Sequence, residues 1–123
     1  MRTTIINEYN QEIVHVESDE MLITDVQSAI DFAMTVNYET GCTRIAIDKK
    51  RIREEFFVLS TGLAGDVFQK YTNYHIKMAI YGDFDYYTSK PLKDFIYESN
   101  KGNSFFFVPD YETAVEKLSL ARG

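Results

Sequence analysis

Three short runs rich in β-branched and aromatic residues, Thr43–Asp48, Ile76–Tyr81 and Ser104–Val108, recur along the chain. Their spacing is roughly thirty residues, the length of a strand–helix–strand unit. Between them, apolar residues return at helical rather than strand spacing. Strands that alternate with helices in this way call for a parallel sheet with right-handed crossovers. Two further runs open the chain, Thr3–Ile6 and Glu12–Glu17, with the polar segment Asn7–Gln11 between them. They predict a hairpin, which makes one edge strand antiparallel. The expected fold is therefore an α/β domain of order β-β-α-β-α-β-α-β-α, with a five-stranded, mostly parallel sheet.

Helix ends can be read from capping chemistry. Thr24 opens the first helix, and Gln27 stands three residues on, the spacing of a reciprocal cap. Val26, Ala29, Ile30, Ala33 and Met34 form its expected apolar stripe, and Gly41 its stop. After the apolar run Phe56–Leu59, Ser60 is the expected cap of a second helix that buries Leu63, Val67, Phe68 and Tyr71. Gly62 and Gly65 fall in its first turn, where each costs roughly 1 kcal/mol of helix propensity against alanine. Close packing on the sheet, or approach of a ligand, would account for them. Ser89 caps the third helix, with Pro91 in its first turn, core residues Leu92, Phe95 and Ile96, and Gly102 at its end. Pro109–Asp110 stops the last strand and caps a final helix that buries Ala114, Val115 and Leu118.

A chain of 123 residues suits one domain, and 45% hydrophobic residues supply its core without disulfides or metal. Cys42 is the only cysteine, which suits a reducing compartment. The start Met1–Thr4 has no secretion signal, and no apolar run approaches the roughly 20 residues of a membrane span. A cytoplasmic location without membrane attachment is expected. The net charge of -6 disfavours nucleic-acid binding. The one basic run, Lys49–Arg53, reads as a solvated loop.

In an open α/β sheet, ligands gather beyond the carboxyl ends of the parallel strands, where helix amino ends also point. Arg51, Arg53, Ser60, Thr61, Gly62, Asp83, Phe84, Tyr86, Tyr87, Ser89 and Lys90 belong to that rim. Two helix starts with nearby Arg51, Arg53 and Lys90 suit a small anion. Phe84, Tyr86 and Tyr87 share one loop, where aromatic rings either anchor a partner or fold back over the sheet. Asp83 and Asp85 alone make a weak cation site. His15 lies mid-strand on the face opposite Val14 and Val16, and His75 lies at the far end of the sheet. The two are not expected to meet. Cys42, also at the far end, reads as a packed or idle thiol. No catalytic motif, metal site or cofactor fingerprint is expected in this chain.

The element order, with Leu59-Ser60-Thr61-Gly62-Leu63 at the second helix, resembles the STAS domain of anti-sigma factor antagonists. In that family the residue before the glycine is phosphorylated by a partner kinase, which implies Thr61 here. Leu59 stands where the antagonists carry aspartate. The chain is also similar to the bacterial family designated domain of unknown function 4180. That likeness rests on Asp25-Val26-Gln27, Tyr38-Glu39-Thr40-Gly41-Cys42, Thr61-Gly62-Leu63-Ala64-Gly65 and Asp94 to Gly102. Together these readings imply a non-enzymatic regulatory or protein-interaction module of STAS-like fold. The alternative is a binder of a small anionic, nucleotide-like signal on the same rim. Exposed aromatics and an open sheet edge admit a homodimer.

Overall fold

The computed structural model describes residues 1–123. The hairpin comes first, as β1 (Arg2–Glu8) and β2 (Gln11–Glu17), longer than expected because only Tyr9 and Asn10 make the turn. Then follow α1 (Val26–Thr40), β3 (Arg44–Asp48), α2 (Leu63–Asn73), β4 (Lys77–Tyr81), α3 (Lys90–Lys101), β5 (Phe105–Val108) and α4 (Tyr111–Leu120). The strands form one sheet in chain order, β1-β2-β3-β4-β5. β1 pairs antiparallel with β2, and the other three pairings are parallel. The expected mixed α/β order and sheet are thus present.

A sheet that always steps in one direction puts every right-handed crossover on the same face. α1, α2 and α3 accordingly share a core with Val14, Val16, Ile45, Ile47, Met78, Ile80, Phe105 and Phe107. The alternate residues Ile13, Ala46, Ala79, Phe106 and Val108 point the other way, to Ala114, Val115 and Leu118 of α4. Ala46 and Ala79 lie at the centre of that second face, and their small side chains let the single helix approach closely. Arg44, buried at the far end, donates to the carbonyls of Leu118 and Ala121 and so closes the last turn of α4.

The helix ends correct some of the capping expectations. Asp25, not Thr24, caps α1: its Oδ1 accepts the Ser28 N–H at 2.7 Å, and Ser28 Oγ accepts the Asp25 N–H at 3.0 Å. Gln27 instead donates to Asp31 at 2.9 Å. The chain just before is held extended, because Ile23 bridges Ile52 and its carbonyl accepts Arg53 N–H at 2.8 Å. The helix therefore starts one residue later. Its buried stripe is Ala29, Phe32, Ala33 and Val36, while Val26, Ile30 and Met34 are half-buried. The stripe turns this way because α2 packs there, with Tyr71 donating to the Ala29 carbonyl at 2.7 Å. Gly41 ends α1 in the left-handed conformation, as expected.

Ser60 is not a helix cap. Leu59–Thr61 is a short 3-10 turn, and α2 begins only at Leu63, after Gly62 in the left-handed conformation at φ 78°. No side chain caps α2. The preceding 3-10 turn, Glu54–Phe57, buries Phe56 and Phe57, and this anchor fixes the direction in which the chain reaches the helix. Gly65 faces open space, so close packing does not explain it. Ser89 does cap α3, accepting Leu92 N–H at 3.3 Å, and Pro91 stands in the first turn. Of its expected core residues only Leu92 is fully buried, since α3 lies over the edge strand β5 and Phe95 and Ile96 are half-covered. Asp110 caps α4 through Thr113 N–H at 2.8 Å. No helix is long and apolar enough to cross a membrane.

Candidate functional site

Because the strand order never reverses, the sheet has no switch-point crevice at its carboxyl margin. Any recess there has to be built by loops. Two loops meet at that margin, the one from Lys49 to Gly62 after β3 and the one from Gly82 to Ser89 after β4, and the second of them borders a recess.

They are joined by aromatic stacking. Tyr87 stacks on Phe57 at 5.7 Å between ring centres, and Phe84 lies 5.9 Å from Phe57 and 5.6 Å from Phe107. Of the three loop aromatics, Phe84 and Tyr87 fold back over the sheet, while Tyr86 stays exposed.

Lys49 occupies the middle of this group. Its ammonium lies 5.0, 4.8 and 5.0 Å from the ring centres of Phe57, Tyr86 and Tyr87. It donates to the Tyr86 hydroxyl and stands 3.6 Å from Glu54 Oε2. Only 12% of the side chain is exposed, and the surrounding π-faces and carboxylate replace the lost water. Tyr87 and Tyr86 both donate to Glu54 Oε1, at 2.7 and 3.1 Å. Burial, the bond to Tyr86 and the nearby Glu54 carboxylate together push the Tyr87 hydroxyl far above the ordinary tyrosine range. The group is a latch that pins one loop to the other.

Next to the latch opens a cleft of about 460 Å³. Phe84, Ile96, Phe107, Val108 and Pro109 supply its apolar lining, and Asp83 and Asp85 are its only charged residues. Asp83 Oδ1 accepts Asp85 N–H at 2.9 Å, which curls the loop beside the cleft. No cationic side chain lines this cleft.

The basic residues expected on the rim are engaged elsewhere. Arg51 donates to the Glu20 carbonyl at 3.3 Å, Arg53 pairs with Glu55, and Lys90 pairs with Asp94 at 2.7 Å. Thr61 Oγ1 lies 2.8 Å from the Val58 carbonyl and 2.9 Å from that of Glu55, and it accepts Leu63 N–H at 3.3 Å. Ser60, Thr61 and Gly62 are exposed on the far side of the aromatic turn from Lys49 in sequence, and Ser89 is committed to its helix. The structure thus brings together Asp83, Phe84, Tyr86 and Tyr87, with Lys49, Glu54 and Phe57 added. It does not gather Arg51, Arg53 and Lys90 around them.

Sequence reasoning missed a second polar group on the α4 face. His15 Nε2 shares a 2.7 Å hydrogen bond with the Tyr81 hydroxyl, and its ring lies 4.4 Å from that of Tyr111. Burial lowers the His15 pKa despite the nearby Glu17, and burial followed by Asp48 raises Tyr81 to about 12. The alternation of β4 holds the signal, since Tyr81 shares a face with Ala79, itself in register with Ala46 and thus His15. Cys42 is buried, as expected of a packed thiol.

The family model described as "Domain of unknown function (DUF4180)" matches residues 8–118. No curated protein and no solved structure matches the chain.

Proposed function

The chain belongs to the DUF4180 family, and on that premise we propose that it is a non-enzymatic protein-interaction module with a regulatory role. The cleft beside the latch would receive an apolar side chain of the partner, with a lysine or arginine of the partner against Asp83 and Asp85. One observation carries this reading: a cleft lined by Phe84, Ile96, Phe107 and Pro109 whose only charged residues are Asp83 and Asp85.

Size alone does not separate a protein segment from a small molecule, since small-molecule sites span roughly 300–1,000 Å³. Charge does. Two carboxylates in the lining, with no cation beside them, repel an anion and steer a cation, which raises the rate of encounter with a basic partner. The rigid setting of Phe84 between Phe57 and Phe107 also lowers the ordering cost of binding. A small anionic signal finds less support, because Arg51, Arg53 and Lys90 are each tied to other groups.

The STAS-like assignment belongs to the same reading. Its support is the element order and the Ser60-Thr61-Gly62 turn before α2. Thr61 is then the modifiable position, and phosphorylation there would break its bonds to the Glu55 and Val58 carbonyls. Mass spectrometry of protein purified from its own source tests this; a phosphate placed only elsewhere counts against the regulatory role.

The cleft itself is tested by fluorescence anisotropy with labelled peptides that carry one Leu or Phe flanked by Arg. The same peptides with Glu in place of Arg serve as the contrast. The double variant Asp83→Asn, Asp85→Asn keeps a hydrogen-bond acceptor at each site and removes both charges. The expected result is a preference for the basic peptides that this variant reduces at least several-fold. Equal binding of both peptide sets, or a preference the variant leaves intact, contradicts the proposal. A nucleotide panel in a thermal-shift assay is the rival arm, where a raised midpoint would favour the anionic ligand.

A further inference from the structure

The sheet has two outer strands, and the chain treats them differently. At β5 the side-chain amide of Asn100 substitutes for a neighbouring strand. Its Nδ2 donates to the Phe107 carbonyl at 3.0 Å, and its Oδ1 accepts the Phe107 N–H at 2.8 Å. β5 is also only four residues long. β1 has seven residues, Arg-Thr-Thr-Ile-Ile-Asn-Glu, with no proline and no lysine to blunt the edge. Its pairing with β2 runs without a bulge from Arg2 to Glu8. The outward N–H and C=O groups of β1 meet no further strand.

Uncovered apolar surface lies along the same edge. Ile5 is in register with the core residue Val14, on the three-helix face, yet it is 44% exposed. Met1 and Met21 are 54% and 55% exposed and line a recess of about 310 Å³ with Phe32 of α1. Uncapped edge strands with exposed apolar side chains beside them mark interaction sites.

We propose that β1 is a homodimer interface, paired antiparallel with β1 of a second copy about a twofold axis at Ile5. The evidence for a second copy as occupant is that the strand is complementary to its own reverse. In this register Arg2 faces the partner's Glu8, Thr3 the partner's Asn7, Thr4 the partner's Ile6, and Ile5 its own equivalent. Each end of the interface sets Arg2, which also pairs with Glu17 of its own chain at 2.7 Å, against the partner's Glu8, and the centre pairs two half-exposed isoleucines. The backbone agrees. Only every second residue of β1 turns its N–H and C=O away from β2, so facing residues must be both odd or both even. The Ile5-centred pairing meets that condition and overlaps the whole strand; shifts by one residue at either end break it. An isologous contact of this kind closes as a twofold dimer and leaves β5 as the outer edge of each half, plugged by Asn100.

Sedimentation of the full chain at physiological salt, where the self-repulsion of the -6 charge is screened, is the first test. The expected mass is a dimer at micromolar concentration, with Glu8→Arg shifted toward monomer and circular dichroism unchanged. The second test reads the register and survives any folding defect of a charge variant. Facing strand residues approach within disulfide range, so Ile5→Cys should cross-link two copies under mild oxidation. Asn7→Cys, whose symmetry mate lies four residues further along the partner strand, should not. Cys42 is buried and does not compete. A wild-type monomer throughout, or equal cross-linking at both positions, overturns the proposal.

Discussion

The side-chain stem of Lys49 crosses over Gly82, so closely that a Cβ on Gly82 would stand 2.9 Å from Lys49 Cβ. Gly82 follows β4 at φ 155°, a conformation L side chains rarely adopt. One glycine thus lets the lysine reach the aromatic rings of the neighbouring loop. Gly82→Ala should cost about 1–3 kcal/mol through overpacking and backbone strain. Chemical denaturation measures it; a loss below 0.5 kcal/mol, on the scale of ordinary surface substitutions, would mean the close approach is not constraining.

Lys49→Met keeps most of the stem and removes the charge. The cation–π contacts of a largely buried ammonium contribute about 0.5–2 kcal/mol, and the variant should lose about that much. Amide exchange across residues 83–89 should quicken with it, because the latch holds that loop. Unchanged exchange there would separate Lys49 from the loop.

The two serines expected to be caps should now behave differently. Ser89→Ala removes a side-chain acceptor from the start of α3 and should cost about 1 kcal/mol. Ser60→Ala lies in an exposed 3-10 turn and should fall within about 0.5 kcal/mol of wild type. Equal losses at both positions would restore Ser60 as a cap.

His15 gives the fold a pH dependence. Burial is the leading cause of its lowered pKa, so the folded chain takes up this proton less readily than the unfolded one. The stabilisation is complete above the ordinary value of 6.5 and is lost as pH falls from there through the lower folded pKa. Glu17, Asp25 and Asp110, whose pKa values are held below 4.5, 3.8 and 3.8, lose their own stabilising effect only in more acid solution. The melting midpoint should therefore begin to drop just below neutral pH, and His15→Gln should flatten that part of the profile. An early drop that survives His15→Gln would assign it to another group.

Architecture was legible where local chemistry and periodicity agree. The β-rich runs, Gly41, Ser89 with Pro91, and Asp110 state their roles within a few residues of sequence, and each holds in the structure. Thr24 and Ser60 misled because a serine or threonine before an apolar run resembles a cap whatever the tertiary path. Beside Thr24 the bridge from Ile23 to Ile52 decides where the helix begins, and at Ser60 the buried Phe56–Phe57 turn decides it. Neither partner is local.

The site was legible in part. Asp83, Phe84, Tyr86 and Tyr87 stand in one loop, and their grouping on the rim followed from strand order alone. Lys49 was hidden inside a basic run that looked solvated, and its capture depends on Gly82 across the sheet margin. The His15–Tyr81 bond was hidden for the same reason, since the residues lie 66 positions apart. Charge placement was the least legible feature. Arg51, Arg53 and Lys90 read as a cationic rim, but each met a nearer oxygen.

The cleft under Asp83 and Asp85 is best tested by nitrogen-15 NMR during titration with the arginine-flanked Leu or Phe peptide. The account predicts saturable shifts grouped at Asp83–Asp85, Ile96, Phe107 and Val108, with the α4 face unmoved. Shifts confined to the α4 face, or none at millimolar peptide, would contradict it.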